Sequence, residues 1–177
     1  MPKEGRLVLA GNHTGHLDAQ TVKMATWRDL WFISGPEAFQ IPVWGFFLRF
    51  LKVIPIVPDK GMEALNVAIE RLEQDEAVVI FPEGKFTQDG NIDKFHRGVA
   101  IIAKKAGAPI IPFAISGGYE TWGGHIKFPK LGNKIKIRFG EKIDIDEKTD
   151  TREITSELQR IVTEMKLSLE EQKRKEE

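Results

Sequence analysis

The sequence predicts an α/β protein with a central, mostly parallel sheet and helices on its faces. Apolar runs of strand length alternate with stretches of helical periodicity, and the connections between them are short. Polar residues able to do chemistry directly follow two of the predicted strands, at the sheet edge where open α/β sheets bind ligands. We expect a single domain over residues 1–169, followed by a charged, frayed tail over residues 170–177.

The first part of the chain alternates between the two kinds of element. The first helix is predicted to begin at Asp18, because an acidic residue is favourable in a first turn. Residues 61–74 predict an amphipathic helix, since their apolar side chains recur on one face. That face consists of Met62, Leu65, Ala68, Ile69 and Leu72. The predicted elements are strands at residues 6–10, 30–33 and 53–57, and helices at residues 18–26, 43–50 and 61–74.

The second part begins with the apolar run at residues 77–81, which turn-forming residues bound and which predicts a buried strand. A helix is predicted to end at Gly107, because glycine readily takes the left-handed conformation that closes helices. Residues 134–139 alternate apolar and cationic side chains, the pattern of a strand with one buried face. The further predicted elements are helices at residues 97–106 and 151–169 and strands at residues 110–115, 125–128 and 134–139.

Composition excludes several classes of function. Lysine plus arginine equals aspartate plus glutamate at 26 each, so the overall charge gives no reason to expect nucleic acid as a partner. The chain has no cysteine, which excludes disulfides, cysteine metal sites and any acyl-cysteine intermediate. The sequence has neither a charged leader with an apolar core nor an apolar stretch of membrane-spanning length, so we expect neither secretion nor a transmembrane segment.

The stretch Gly-Asn-His-Thr-Gly-His-Leu-Asp at residues 11–18 places a potential base five residues before a carboxylate. A neutral histidine can take a proton from a hydroxyl near neutral pH, and a carboxylate on its other ring nitrogen fixes the tautomer. His13 and Asp18 are therefore a candidate catalytic pair, which is weak evidence alone and which the rest of the chain has to support. Asn12 is expected to brace the turn through its side-chain amide.

A second polar group follows the predicted strand at residues 77–81. Glu83 and Lys85 should emerge at the carboxyl end of that strand, on either side of Gly84. Alone, this pattern also suits a solvated turn.

Together, the two stretches resemble a known family. Asn12-His13-x4-Asp18 followed by Phe81-Pro82-Glu83-Gly84 is similar in order and spacing to the glycerolipid acyltransferases, the family that includes lysophosphatidic acid acyltransferase. Residues 45–58 are similar to the family's second motif, and residues 108–115 are similar to its fourth. The resemblance runs from about residue 7 to residue 117. It implies that Asn12, Glu83 and Gly84 serve acceptor binding and loop shape.

The sequence departs from the family pattern at positive charges. The arginine that commonly ends the second motif is replaced by the run Val57-Pro58-Asp59, and the threonine and arginine after the third motif are replaced by Lys85 and Phe86. A phosphate on the acceptor would then have to meet other cations, since a lysine can act as a point charge where a bidentate arginine is absent. The predicted phosphate contacts are Lys60, Lys85 and Arg97.

Aromatic residues are concentrated between residues 41 and 57, among a few cations. Such a segment suits a membrane interface or the wall of an acyl-chain tunnel, although core packing is an equally ordinary use of these side chains. The predicted acyl or membrane contacts are Trp44, Phe46, Phe47 and Phe50.

The resemblance implies a transferase that moves a fatty acyl group from acyl-CoA or acyl carrier protein to the hydroxyl of a lysophospholipid, as in phospholipid biosynthesis. The acceptor most typical of the family is 1-acylglycerol-3-phosphate. His13 would be the general base, oriented by Asp18, with backbone amides near residues 11–15 or Gly84 as donors to the oxyanion. No cofactor and no metal are expected, and the location implied is the cytoplasmic face of a membrane, as a peripheral protein.

Two alternatives remain at this stage. His13, His16 and Asp18 together have the ligand types of a metal-dependent hydrolase. Alternatively, the missing arginine suits a lipid-binding module that has kept the fold but lost turnover. His96 and His125 are not expected to be catalytic.

Overall fold

The computed structural model of the chain describes residues 1–34, 52–56 and 61–176. Six strands form one sheet, and helices follow most of them. The strands are β1 (Leu7–Gly11), β2 (Leu30–Ser34), β3 (Lys52–Pro55), β4 (Ala77–Ile80), β5 (Ile110–Ser116) and β6 (Lys136–Phe139). The helices in these ranges are α1 (Asp18–Met24), α2 (Gly61–Glu73), α3 (Gly98–Ala106), α4 (Gly118–Trp122) and α5 (Thr151–Glu176).

The strand order in the sheet is β3-β2-β4-β1-β5-β6. The first five of these strands run parallel to one another, and β6 pairs antiparallel with β5 at the edge. This arrangement confirms the predicted α/β class with a mostly parallel sheet. Because β1 lies between β4 and β5, the loop that leaves its carboxyl end lies near the middle of the sheet. Ligands bind at the carboxyl ends of the strands in such folds.

The sheet separates two apolar cores. Val8 and Ala10 of β1 point into the core beneath α2, α3 and α5, whereas Leu7 and Leu9 point into the core that Val22 of α1 helps to form. Strands β1, β4 and β5 are buried along their whole length. Burial on both faces explains why these strands read as continuous apolar runs, without the alternation of a half-exposed strand.

Most predicted elements lie within a few residues of their observed positions, but three local predictions are wrong. Residues 125–128 do not form a strand, and the short helix α4 precedes them instead. The last helix does not end near residue 169, since α5 continues to residue 176. Met62 is not part of the buried face of α2, because 61% of its surface is exposed. The helix predicted at residues 43–50 lies outside the described residues.

None of the helices within the described ranges is both long enough and apolar enough to span a bilayer.

Candidate active site

The turn after β1 folds around the carboxylate of Asp18, which is fully buried. His13 Nδ1 lies 2.8 Å from Asp18 Oδ2. The same carboxylate accepts hydrogen bonds from the backbone N–H of Thr14 at 2.5 Å, from the backbone N–H of Gly15 at 2.9 Å and from the Thr14 hydroxyl at 2.6 Å. Four donors therefore compensate the loss of water around this buried charge.

The imidazole of His13 is held on three sides. Phe81 stacks on it with ring centroids 4.0 Å apart, and Phe86 meets it edge-on at 4.4 Å. Since a carboxylate can only accept, the contact with Asp18 requires the proton to sit on Nδ1. Nε2 is then the ring nitrogen that can accept a proton from a bound hydroxyl.

The loop after β4 holds the backbone of His13. Glu83 Oε1 accepts the His13 N–H at 2.7 Å, and the His13 carbonyl accepts the N–H of Thr87 at 3.0 Å. Glu83 Oε2 accepts the N–H of Asp93 at 2.8 Å. Glu83 is only 2% exposed, and this burial raises its pKa to about 7 against the opposing effect of the two backbone hydrogen bonds. Its carboxylate thus connects the loop after β4 to the turn after β1.

Asn12 and Gly84 also shape the two loops. The Asn12 side chain is buried and forms two hydrogen bonds with the backbone of Ile115, donating from Nδ2 at 2.9 Å and accepting at Oδ1 at 2.8 Å. Gly84 has φ +71°, a conformation that side chains with a Cβ rarely adopt. The bracing expected of Asn12 therefore takes the form of a link between β1 and β5.

A cavity of about 650 Å³ opens beside the His13 ring. Its wall includes all four histidines of the chain, and His13, Gly84 and Lys85 are the predicted site residues that take part in it. Away from the histidines the wall is mostly apolar. That part is formed by Phe32, Ile33, Val53, Leu65, Val99 and Ile102.

The other predicted site residues fall into three groups. Asn12, Asp18 and Glu83 are buried behind the cavity wall, where they hold the loops. Arg97 is exposed and directly precedes α3 without a side-chain hydrogen bond to it, and it is not among the described residues that line the cavity. The remaining predictions lie outside the described residues. They are Lys60, Trp44, Phe46, Phe47 and Phe50.

Lys85 is a cation at the cavity wall with an acidic neighbour. Its Nζ lies 3.1 Å from Asp93 Oδ2, and 61% of its side chain is exposed. An ion pair this exposed contributes little stability, so the ammonium can exchange Asp93 for another anion.

His16 lies beside the same site and packs against Phe86 and Trp122, with ring centroids 4.8 Å and 5.0 Å away. Burial lowers the pKa of His16 below its usual value, and a positive charge on His13 lowers it further. Both effects disfavour the charged form of His16, and the carboxylate of Asp18 opposes them.

The geometry gives no support to the metal alternative. Within the described ranges, no group of three or more histidine, cysteine, aspartate or glutamate side chains is placed to hold an ion. The oxygens of Asp18 are already occupied by donors from its own turn.

Helix α4 packs against the turn, which the sequence analysis did not anticipate. A Cβ placed on Gly118 would lie 2.0 Å from Thr14 Oγ1 and 3.0 Å from Asp18 Oδ1, and one on Gly15 would lie 2.3 Å from the Trp122 carbonyl oxygen. The N–H of His16 donates to that carbonyl at 3.0 Å. Gly15 and Gly118 thus allow α4 to approach the buried carboxylate. In the sequence, the pair Gly117-Gly118 after a predicted strand was the only sign of this close approach.

Comparison with known proteins places these features in a family. The chain matches the family described as Acyltransferase over residues 1–116. It is 31% identical to a chloroplastic 1-acyl-sn-glycerol-3-phosphate acyltransferase of Brassica napus over 113 residues, which cover 62% of this chain and 33% of that protein. It is 28% identical to N-acylphosphatidylethanolamine synthase of Arabidopsis thaliana over 183 aligned positions, covering 88% of this chain and 64% of that protein.

A solved structure agrees with the sequence comparisons. The fold matches the crystal structure of the 1-acyl-sn-glycerophosphate acyltransferase PlsC of Thermotoga maritima with a TM-score of 0.79 and 25% identity, over 97% of this chain and 68% of that one. The chain spans about a third of the Brassica relative. The family resemblance predicted from the four motifs is confirmed. The chain belongs to the acyltransferase family.

Proposed function

We propose that the chain transfers a fatty acyl group from a thioester, acyl-CoA or acyl-acyl carrier protein, to the hydroxyl of a lysophospholipid. The observation that carries this proposal is the His13 ring, bound to Asp18 through Nδ1 at 2.8 Å, beside a cavity of about 650 Å³. The names of the relatives favour 1-acylglycerol-3-phosphate as acceptor and phospholipid biosynthesis as the pathway.

In the proposed reaction, His13 Nε2 takes the proton of the acceptor hydroxyl while the hydroxyl oxygen attacks the thioester carbonyl. The carbon–sulfur bond then breaks, and the proton passes from Nε2 to the departing thiolate. Asp18 stabilises the charge on the imidazole in between. The chain has no cysteine to form an acyl-enzyme, and direct transfer needs neither a cofactor nor a metal.

Several of the oxyanion donors that the sequence suggested are already bonded within the protein. The N–H groups of His13, Thr14 and Gly15 all donate to carboxylates, and the N–H of Gly84 donates to the Phe81 carbonyl at 3.1 Å. These amides support the turn, so they are not free to bind the developing charge.

The two parts of the cavity suit the two parts of a lysophospholipid. We place the acyl chain against the apolar wall near Val53, Leu65 and Val99, and the phosphate near Lys85, His96 and His125. A lysine would supply positive charge, and the two histidines would donate hydrogen bonds, without the arginine that the family commonly has. The same reasoning implies a peripheral position at the cytoplasmic face of a membrane, where such acceptors are found.

Thiol release from acyl-CoA and acyl carrier protein donors tests the proposal. The acceptors are lysophosphatidate, lysophosphatidylethanolamine and phosphatidylethanolamine, the last because of the Arabidopsis relative. We expect acceptor-dependent release with a lysophospholipid, and a loss of about 10³-fold in His13→Ala, the usual size of a general-base contribution. His16→Ala is the matched control and should retain most of the activity.

If phosphatidylethanolamine were the only acceptor that supported thiol release, the proposed acylation of a hydroxyl would be wrong. The reaction would then be acylation of the lipid amine. Release that survives in His13→Ala would contradict the mechanism. No release with any pair of substrates would favour the lipid-binding module.

The phosphate site has its own test. Lys85→Met should raise KM for lysophosphatidate several-fold and leave kcat nearly unchanged, because the lost contact binds ground state and transition state alike. KM for an uncharged monoacylglycerol should not change. Equal effects on the two acceptors would place the phosphate elsewhere.

A further inference from the structure

Residues 127–134, here called the basic loop, expose apolar and cationic side chains together. Phe128 is 72% exposed and Leu131 is 96% exposed. Lys127, Lys130 and Lys134 are exposed beside them, and no carboxylate of the described residues forms an ion pair with any of the three. Phe128 and Leu131 are three residues apart, and exposed apolar side chains rimmed by cations are typical of a surface that meets a partner.

The charge around the basic loop is strongly one-sided. Residues 125–140 contain five lysines or arginines and no aspartate or glutamate, although the whole chain has 26 residues of each sign. A surface with this composition attracts an anionic partner, and its exposed apolar residues need a partner that also offers hydrocarbon.

The basic loop lies at the carboxyl ends of the parallel strands, where the candidate active site also lies. It connects α4, which follows the carboxyl end of β5, to β6, whose Lys136 pairs with Ser116 at that same end. His125, directly before the loop, lines the cavity beside His13. A flat surface that met the basic loop would therefore also face the active-site edge of the sheet.

Backbone contacts anchor the basic loop to α4. The N–H of Lys130 donates to the Thr121 carbonyl at 2.8 Å, and Asn133 Nδ2 donates to the Glu120 carbonyl at 3.1 Å. The exposed side chains thus project from a loop whose backbone is fixed relative to the catalytic turn.

We propose that the basic loop is a membrane-contact surface for anionic lipids. Phe128 and Leu131 enter the interface, while Lys127, Lys130 and Lys134 extend their ammonium groups to lipid phosphates. The contact deepens the proposed function, because it would bring the cavity to the surface that holds a lysophospholipid. Its test measures binding alone and does not depend on turnover.

The chain offers a matched control near the amino ends of the strands. Met24 and Trp27 are three residues apart and 87% and 101% exposed, and they precede the amino end of β2. They present as much apolar surface as Phe128 and Leu131, on the side away from the cavity. Replacing both members of either pair by serine removes two large apolar side chains from exposed positions.

Vesicle flotation of the whole chain is the experiment. Vesicles of phosphatidylcholine with phosphatidylglycerol should bind the wild type, and vesicles of phosphatidylcholine alone should bind it weakly. Phe128→Ser with Leu131→Ser should lower partitioning onto the anionic vesicles by about tenfold, the scale expected when two interfacial side chains are lost. Met24→Ser with Trp27→Ser should leave partitioning unchanged.

Lys130→Glu with Lys134→Glu should also weaken binding and make it less sensitive to salt. Equal partitioning of wild type and the Phe128 and Leu131 variant would overturn the proposal, as would an equal loss in the Met24 and Trp27 control. Normal vesicle binding combined with loss of the acyl carrier protein donor alone would overturn it in favour of a protein-docking surface. A soluble short-chain acceptor should be acylated at the wild-type rate by every variant, which separates this test from that of the proposed function.

Discussion

Asp18 and Glu83 are both buried carboxylates, yet they are supported in different ways. Asp18 accepts four hydrogen bonds, and all of them come from residues 13–15 of its own turn. Glu83 accepts two, from the backbone of His13 and of Asp93, which lie 70 and 10 residues away along the chain. Asp18 contacts the His13 ring, whereas Glu83 contacts backbone N–H groups, one of which belongs to His13.

The two carboxylates are suited to different tasks, one to orienting the imidazole and the other to fixing the turn. Orienting an imidazole needs an acceptor at Nδ1, and the other three donors around Asp18 hold its carboxylate in place there. Fixing the position of the turn needs an acceptor that reaches it from another strand. Glu83 does so from the end of β4, at the cost of a buried carboxylate with few donors and a pKa raised to about 7.

The largest effect is expected from removing the charge at Asp18. Asp18→Asn keeps the shape but turns an acceptor into an amide that can present N–H groups to Thr14 and Gly15. We expect kcat/KM to fall about 10³-fold, because the histidine loses its tautomer and its counter-charge. The free energy of unfolding should fall by about 1–3 kcal/mol for the donors left without a partner.

Steady-state kinetics and chemical denaturation measure the two effects. Asp29→Asn, which changes an exposed carboxylate at the other edge of the sheet, is the control and should change neither quantity. An Asp18→Asn enzyme that kept wild-type kcat/KM would remove Asp18 from the catalytic pair.

A smaller effect is expected from crowding the turn around Asp18. Gly118→Ala places a Cβ 2.0 Å from Thr14 Oγ1, so the turn or α4 has to move. We expect a loss of about 2–3 kcal/mol in the free energy of unfolding, as for other overpacked sites, and a tenfold or larger loss of activity. Thermal unfolding and thiol release measure the two.

Gly98→Ala is the matched control, since a Cβ at that position in α3 has no neighbour within 4 Å. It should be neutral or slightly stabilising. A Gly118→Ala protein as stable and active as Gly98→Ala would show that α4 need not approach the buried carboxylate closely.

The smallest effect is expected at Glu83. Glu83→Gln leaves one acceptor oxygen for two N–H groups, so one of the two hydrogen bonds is lost. Activity should fall about fivefold to tenfold, the scale of one hydrogen bond. Because the pKa of Glu83 is raised to about 7 in the folded protein, its contribution to stability is present below pH 4.5 and is lost as pH rises towards 7.

The loss over this range is at most about 3 kcal/mol, from about 2.5 pKa units at 1.36 kcal/mol each. Denaturation at a series of pH values should show this decline in the wild type and a flatter profile in Glu83→Gln. Parallel profiles would mean that another group causes the decline, and unchanged activity would mean that the turn does not need Glu83.

The sequence predicted those parts of the molecule that depend on neighbours along the chain. Apolar runs identified β1, β4 and β5 because both faces of these strands are buried. The contact of His13 with Asp18 joins residues five apart, which a turn brings together whatever the rest of the chain does. The catalytic roles of these two residues stay predictions.

Contacts across the sheet could not be predicted in the same way. The bond from His13 to Glu83 spans 70 residues, and the approach of Gly118 to Thr14 depends on the neighbouring positions of β1 and β5. Residues 125–128 looked like a strand because Ile126 and Phe128 alternate with polar residues. Phe128 faces solvent instead, so the alternation does not reflect a buried sheet face.

The hydrogen bonds of Asn12 also bear on the chemical lifetime of the protein. Asparagine ages by deamidation when the N–H nitrogen of the following residue attacks the side-chain carbonyl carbon. Here the side-chain amide is fixed by two bonds to Ile115, and the nitrogen that would attack belongs to His13, whose N–H is held by Glu83. The bonds that position the turn after β1 therefore also keep its asparagine from becoming an aspartate.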